Sequence, residues 1–97
     1  MKLFKYREIR EAYAYVREGG QALHVQPNSF AYKDIPICFK KSKQWGHLFD
    51  QDKERLVKTA KRLGVRVIKV ENAGDEKRQH IDLCGKPLER AIEECVS

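Results

Sequence analysis

The sequence predicts a small single-domain α/β fold, with a sheet built on a strand–helix–strand core and packed against N-terminal and C-terminal helices. Three observations predict it. Apolar residues recur at helical spacing in three separate segments, short β-rich runs lie between them, and Gly or Pro stands at most of the junctions. At 97 residues, 41% of them hydrophobic, the chain holds one core, read here as one domain over residues 1–97.

Tyr6, Ile9, Tyr13 and Val16 form one stripe of an amphipathic helix over 6–18, with Tyr15 beside it and Gly19-Gly20 as its stop. Ala22 to Val25 then reads as a strand closed by the turn residues Pro27-Asn28-Ser29. Ile35 to Phe39 reads as a second, shorter strand, which Pro36 confines to an edge or a start. A second helix has Asp50 or Asp52 as its cap, Leu56, Val57, Ala60 and Leu63 as its apolar face, and Gly64 as a left-handed stop. Val65 to Val70 is the run richest in β-branched residues and is expected to be the best strand. Asn72 to Arg78 is a polar loop, and His80 to Cys84 is extended. Pro87, at a first helical position, opens a last helix that turns Leu88, Ala91, Ile92 and Cys95 inward and Glu89, Glu93 and Glu94 outward.

Composition sets the class of partner. Residues 1–70 contain 16 basic and 7 acidic side chains, a net of +9, whereas residues 71–97 contain 4 basic and 7 acidic, a net of −3. A basic surface of this kind suits an anion such as nucleic acid or a phosphate-bearing ligand. Neither a signal-peptide core nor a membrane-length apolar run is present, so the expected location is the cytoplasm, without a membrane partner. Cysteines 38, 84 and 95 are odd in number and lack a Cys-x-x-Cys spacing, and reduced thiols are the expectation, with Cys84 a small buried side chain.

Two segments can carry chemistry. Trp45-Gly46-His47-Leu48-Phe49-Asp50 precedes the second helix, where ligands gather at helix N-termini, although Asp50 itself reads as a cap. In His80-Ile81-Asp82-Leu83-Cys84, an extended backbone puts His80, Asp82 and Cys84 on one face. An imidazole beside a carboxylate serves as acid and base, or as part of a metal site. His47, His80 and Asp82 are therefore the candidate catalytic residues, with a divalent metal as the candidate cofactor if the loops converge. A third segment, Phe39-Lys40-Lys41-Ser42-Lys43-Gln44-Trp45, sets three lysines between two aromatic rings in an expected loop. Lys40, Lys41, Lys43 and Trp45 there, with Arg55, Lys58 and Arg62 opposite the apolar face of the second helix, are candidate phosphate or nucleic-acid contacts. No P-loop, dinucleotide fingerprint, His-Glu-x-x-His or nucleophile-elbow motif occurs, which removes those enzyme classes.

Through Trp45-Gly46-His47-Leu48 and His80-Ile81-Asp82-Leu83 the chain resembles a family of small bacterial and phage proteins that bears only a domain-of-unknown-function label. The family pattern runs from a short strand to a Trp-Gly-His-Leu or Trp-Ser-His-Leu box, an Asp opening a helix, a Leu-Gly end, a His-Tyr-Asp-Leu box and a last helix. Here the strand through Val25, Asp50, Leu63-Gly64 and Arg90-Ala91 stand at the other positions, over roughly residues 22–97. Ile81 replaces the usual Tyr, and Gln26-Pro27-Asn28 stands where members often have acidic residues. The segment 1–20 is an addition to that pattern, and its tyrosine stripe either covers the core or makes a homodimer contact. The resemblance implies no activity. Three uses are thus expected in turn: a binding module for nucleic acid or a phosphate ligand, a phosphate-ester hydrolase with His47 and His80 as acid and base or as metal ligands and Asp82 orienting an imidazole or holding a cation, or a structural or regulatory accessory protein.

Overall fold

The structure, a computed structural model, describes residues 1–28 and 37–96. Four strands form one mixed sheet in the order β1 (Lys2–Phe4), β2 (Gln21–Pro27), β3 (Gln44–Asp50), β4 (His80–Leu83). β1 and β2 are parallel, joined by a 3-10 turn at Tyr6–Glu8 and by α1 (Ile9–Arg17), while β3 runs antiparallel to both β2 and β4. The strand–helix–strand unit is therefore β1–α1–β2, at the N-terminal end of the chain. α2 (Ile37–Lys41), α3 (Lys53–Leu63) and α4 (Gly85–Val96) complete the domain.

Alternation of side chains along the strands separates two cores. Leu23, Leu48, Ile81 and Leu83 face α3 and α4, where Leu56, Ala60, Leu63, Leu88 and Ala91 close over them. On the opposite face Phe4, Ala22 and Phe49 pack under Ala12 and Val16 of α1, with Ile9, Tyr13 and Tyr15 at the margin. The tyrosine stripe thus covers a core within its own chain, and Tyr13 meets Phe49 edge-on at 5.4 Å between ring centroids. Residues 1–17 are built into the sheet as its first strand and second layer.

Several expectations change. Val65 to Val70 is not a strand. Val65, Ile68 and Val70 lean on the core at a spacing that does not alternate, which leaves Val67 82% exposed, and only Glu71 makes a β-bridge, to His80. β-branched composition describes a fit to a pleated, half-buried surface, and this segment has no such surface to fit. The expected strand over 35–39 begins at Ile35 and Pro36, which lie outside the described residues. From Ile37 onward the chain is helical, with the Phe39 and Ser42 carbonyls accepting from Asn28 Nδ2. Residues 44–50, read as the end of a loop and a helix approach, are a seven-residue central strand. The thiols differ too: Cys38 and Cys84, 46 residues apart, form a disulfide that staples α2 to the junction of β4 and α4. In the chain-entropy account a loop of this length is worth about 4 kcal/mol. Cys95 is free.

Asp52 caps α3 by accepting from the Arg55 amide, and Gly64 ends the helix at φ +95°, both as the sequence indicates. Asp50 has another task. It is wholly buried and accepts from the Asp52 amide, from Gln21 Nε2 and, in bidentate fashion, from Arg55 Nε and Nη2 at 2.6 and 2.7 Å. That anchor fixes the end of β3 against the start of α3. At the other end of the strand, a Cβ built on Gly46 would stand 2.5 Å from Leu88 Cδ1 and 3.4 Å from Leu23 Cδ1. Gly46→Ala is therefore expected to lower stability by about 1–3 kcal/mol through overpacking. In urea unfolding the penalty of Gly46→Ala should be smaller in a Leu88→Ala background than in the wild type, and a neutral Gly46→Ala would show that α4 shifts freely. Among the described residues, no helix is long and apolar enough to cross a membrane.

Candidate metal centre

β-register brings the sequence candidates together. His24 pairs with His47 across β2 and β3, His47 with Asp82 across β3 and β4, and Phe49 with His80 one pleat away. All five side chains share the sheet face under α1. His47 Nε2 lies 3.6 Å and His80 Nε2 3.2 Å from Asp82 Oδ1. One ligand atom from each of the three residues lies within 4.8 Å of the other two. Tetrahedral zinc, with bonds of ~2.0–2.1 Å, sets neighbouring ligand atoms ~3.3 Å apart, so only a small closure is needed to seat an ion.

The far nitrogens of the rings are held as well. His80 Nδ1–H donates to the Arg78 carbonyl at 2.7 Å, leaving Nε2 toward Asp82. His24, which sequence reasoning did not place in the site, is 3% exposed, and its Nε2–H donates to the Tyr6 carbonyl at 2.8 Å. With neutral rings, His24 Nδ1 is then an acceptor, and its contact with His47 Nδ1 at 3.4 Å requires the proton to sit on His47. His47 Nε2 is left with a lone pair that faces the Asp82 carboxylate. Two acceptors confronting each other make a place for a cation, and backing of ligand imidazoles by a carbonyl or a second polar group is the usual outer shell of a metal site. No signal within β2 alone marks His24. Only the register with β3 does.

Burial pushes the His47 pKa down to about 4, helped by His80 and His24 and opposed by the Asp82 charge. For His80 burial acts the same way, but the hydrogen bonds to Asp82 and to the Arg78 carbonyl outweigh it, and its pKa lies above the ordinary histidine value. Asp82 is shifted down: burial would raise it, and the hydrogen bond from His80 with the nearby positive charges prevails. His47 thus enters neutral solution as a ready ligand.

A pH prediction follows for the metal-free protein. Between about pH 6.5 and 4 the unfolded chain protonates His47 while the folded one does not, so stability falls as pH falls through that window, by about 3 kcal/mol in total from this group. Urea unfolding in chelator at pH 4.5 and pH 7 should show His47→Gln gaining on the wild type at the lower pH. A constant difference between the two proteins would refute the buried, uncharged His47.

The groove above these ligands holds about 560 Å³ and is lined by Tyr6, Arg7, His24, Gln26, Asn72 and Arg78 among others. Arg7 and Arg78 are both exposed at its rim, giving an anion two cationic contacts beside the histidines.

The other candidates lie elsewhere. Trp45 is buried, its indole Nε1–H donating to the Phe39 carbonyl at 2.7 Å with the Phe39 ring edge-on at 6.2 Å, so it anchors α2 and offers no stacking face. Lys41 and Lys43 are exposed, and the Lys40 side chain is outside the described residues. Arg55 is held by Asp50 and the Gly19 carbonyl, and Arg62 pairs with Glu94 on α4, leaving Lys58 exposed between them. Cys84 does not join the metal ligands, because its sulfur is in the disulfide. Comparison with family models, with curated proteins and with solved structures finds no match to this chain.

Proposed function

We propose that the protein is a metal-dependent phosphate-ester hydrolase, with His47, His80 and Asp82 as the ligands of one divalent ion of the zinc class. One observation carries the reading: His47 Nε2 and His80 Nε2 lie 3.6 and 3.2 Å from the same carboxylate oxygen of Asp82, with one ligand atom of each residue within 4.8 Å of the other two. Two imidazoles and a carboxylate leave a coordination position open, as catalytic zinc sites do. A divalent ion held by these three residues would supply a Lewis acid and a water activated near neutral pH for attack on the phosphoryl group. Water adds to phosphorus, the ester P–O bond breaks, and the alcohol departs with a proton. Arg7 and Arg78 neutralise the remaining phosphate oxygens, and His24 keeps the tautomer of His47 that presents Nε2.

Support for a binding module on the lysine loop is weaker, because Trp45, Arg55 and Arg62 are engaged within the chain. Calorimetric titration of chelator-stripped protein with Zn(II) should show saturable 1:1 binding that weakens as pH falls, because a ligating imidazole nitrogen carries no proton. The loaded protein should cleave bis(p-nitrophenyl) phosphate. Absence of saturable metal binding would remove the reading.

A further inference from the structure

Tyr6 lines the groove and is 57% exposed. The ring lies nearly parallel to that of His24, at 29° and 6.2 Å between centroids, and the Tyr6 carbonyl is fixed by the same histidine. A metal, two arginines and a phosphate make no use of an exposed phenol ring. Gln26, two residues along β2 from His24, and Asn72 add side-chain amides to the same lining, each offering both a donor and an acceptor. A flat heterocycle with polar edges matches this set: a π-face for the ring, amides for its edge, and cations for an attached anion. The groove volume of about 560 Å³ falls in the usual range for small-ligand sites, ~300–1,000 Å³.

We propose that the groove takes a nucleoside monophosphate, with the base laid on the Tyr6 ring and the phosphate at the His47–His80–Asp82 centre between Arg7 and Arg78. The position of the phosphate rests on the hydrolase reading; the position of the base rests on Tyr6. Base stacking on an aromatic side chain is worth a factor of about ten or more in affinity and tolerates any base.

The test compares 5′-AMP with ribose 5-phosphate, by calorimetry, on wild type, Tyr6→Ala, Tyr6→Phe and Arg78→Ala, each with and without Zn(II). Tyr6 is exposed and its carbonyl is kept in every variant, so the His24 contact is preserved. The expected result is about tenfold tighter binding of 5′-AMP to the wild type, retained in Tyr6→Phe and lost in Tyr6→Ala, with Arg78→Ala weakening both ligands alike. Equal affinity for the two ligands, or an AMP preference that survives Tyr6→Ala, would overturn the proposal. The two readings fail separately. Zn(II) binding and diester cleavage without base preference sink the nucleotide inference alone, whereas a Tyr6-dependent preference without Zn(II) binding sinks the hydrolase and leaves the base site standing.

Discussion

Replacing His80 by Ala is expected to abolish phosphodiester cleavage and to weaken Zn(II) binding by more than about 100-fold while the fold persists. Loss of a group behind a ligand costs ~10–100-fold in affinity, and in the proposed centre His80 is itself a ligand, so a larger effect is expected. The side chain is 14% exposed and its ring meets Phe49 at 5.0 Å between centroids, so truncation is expected to cost about 1–2 kcal/mol in unfolding while the fold persists. His24→Phe is the informative companion. It preserves a ring in the buried position but removes the acceptor that holds the His47 proton, and it should cost less than His80→Ala, within the ~10–100-fold band. Equal metal affinity in wild type and His80→Ala would place the ion elsewhere. An unfolded His80→Ala would instead make the histidine face structural, and circular dichroism beside the titration separates the two results.

The largest loss of stability is expected from Arg55→Ala. Asp50 has no solvent-exposed surface, and Arg55 supplies two of its hydrogen bonds and its compensating charge. Truncating the arginine leaves a buried carboxylate without a countercharge, at a cost of about 3–5 kcal/mol, a large part of the ~5–15 kcal/mol that holds a small domain together. The double variant Asp50→Ala with Arg55→Ala should recover part of that loss, because the uncompensated charge goes with it. Urea midpoints for both single variants and the double provide the check, and additive losses would show that the pair is not coupled. In sequence the same arginine reads as a free cation on an exposed helix face, and Asp50 as a helix cap.

That misreading shows where sequence reasoning stops. The longer helices were legible because each carries its own evidence: the stripes of α1 and α3, the cap at Asp52 and the stop at Gly64 are all local, whereas the five-residue α2 falls where the sequence reads as a strand and a loop. Strands were not. β3 hides its period because one face reads Trp45, His47, Phe49 and the other Gly46, Leu48, Asp50, so neither is plainly apolar or polar. Val65 to Val70 has the right composition and no partner, and β1 is three residues long. The candidate site was legible as residue types. His47, His80 and Asp82 were chosen from two boxes 33 residues apart, and their meeting depended on a β3–β4 register that no local pattern encodes. His24 and the Cys38–Cys84 link depended on that same kind of long-range pairing.

The alternation within β3 has a consequence for how this protein can change. Leu48 belongs to the core under α3 and α4, while His47, its immediate neighbour in the chain, belongs to the groove. The core under α3 and α4 and the groove are thus written on alternate letters of one strand, with Phe49 on the groove face also closing the core under α1. Positions 24, 47, 80 and 82 form a small panel on which ligand types can be exchanged, cysteine for histidine or glutamate for aspartate, without disturbing a leucine beneath. The opposite also holds: shifting β3 by a single residue against its neighbours would carry His47 to the face under α3 and α4 and Leu48 to the face under α1 together, so substitution at the panel spares what a register slip would destroy.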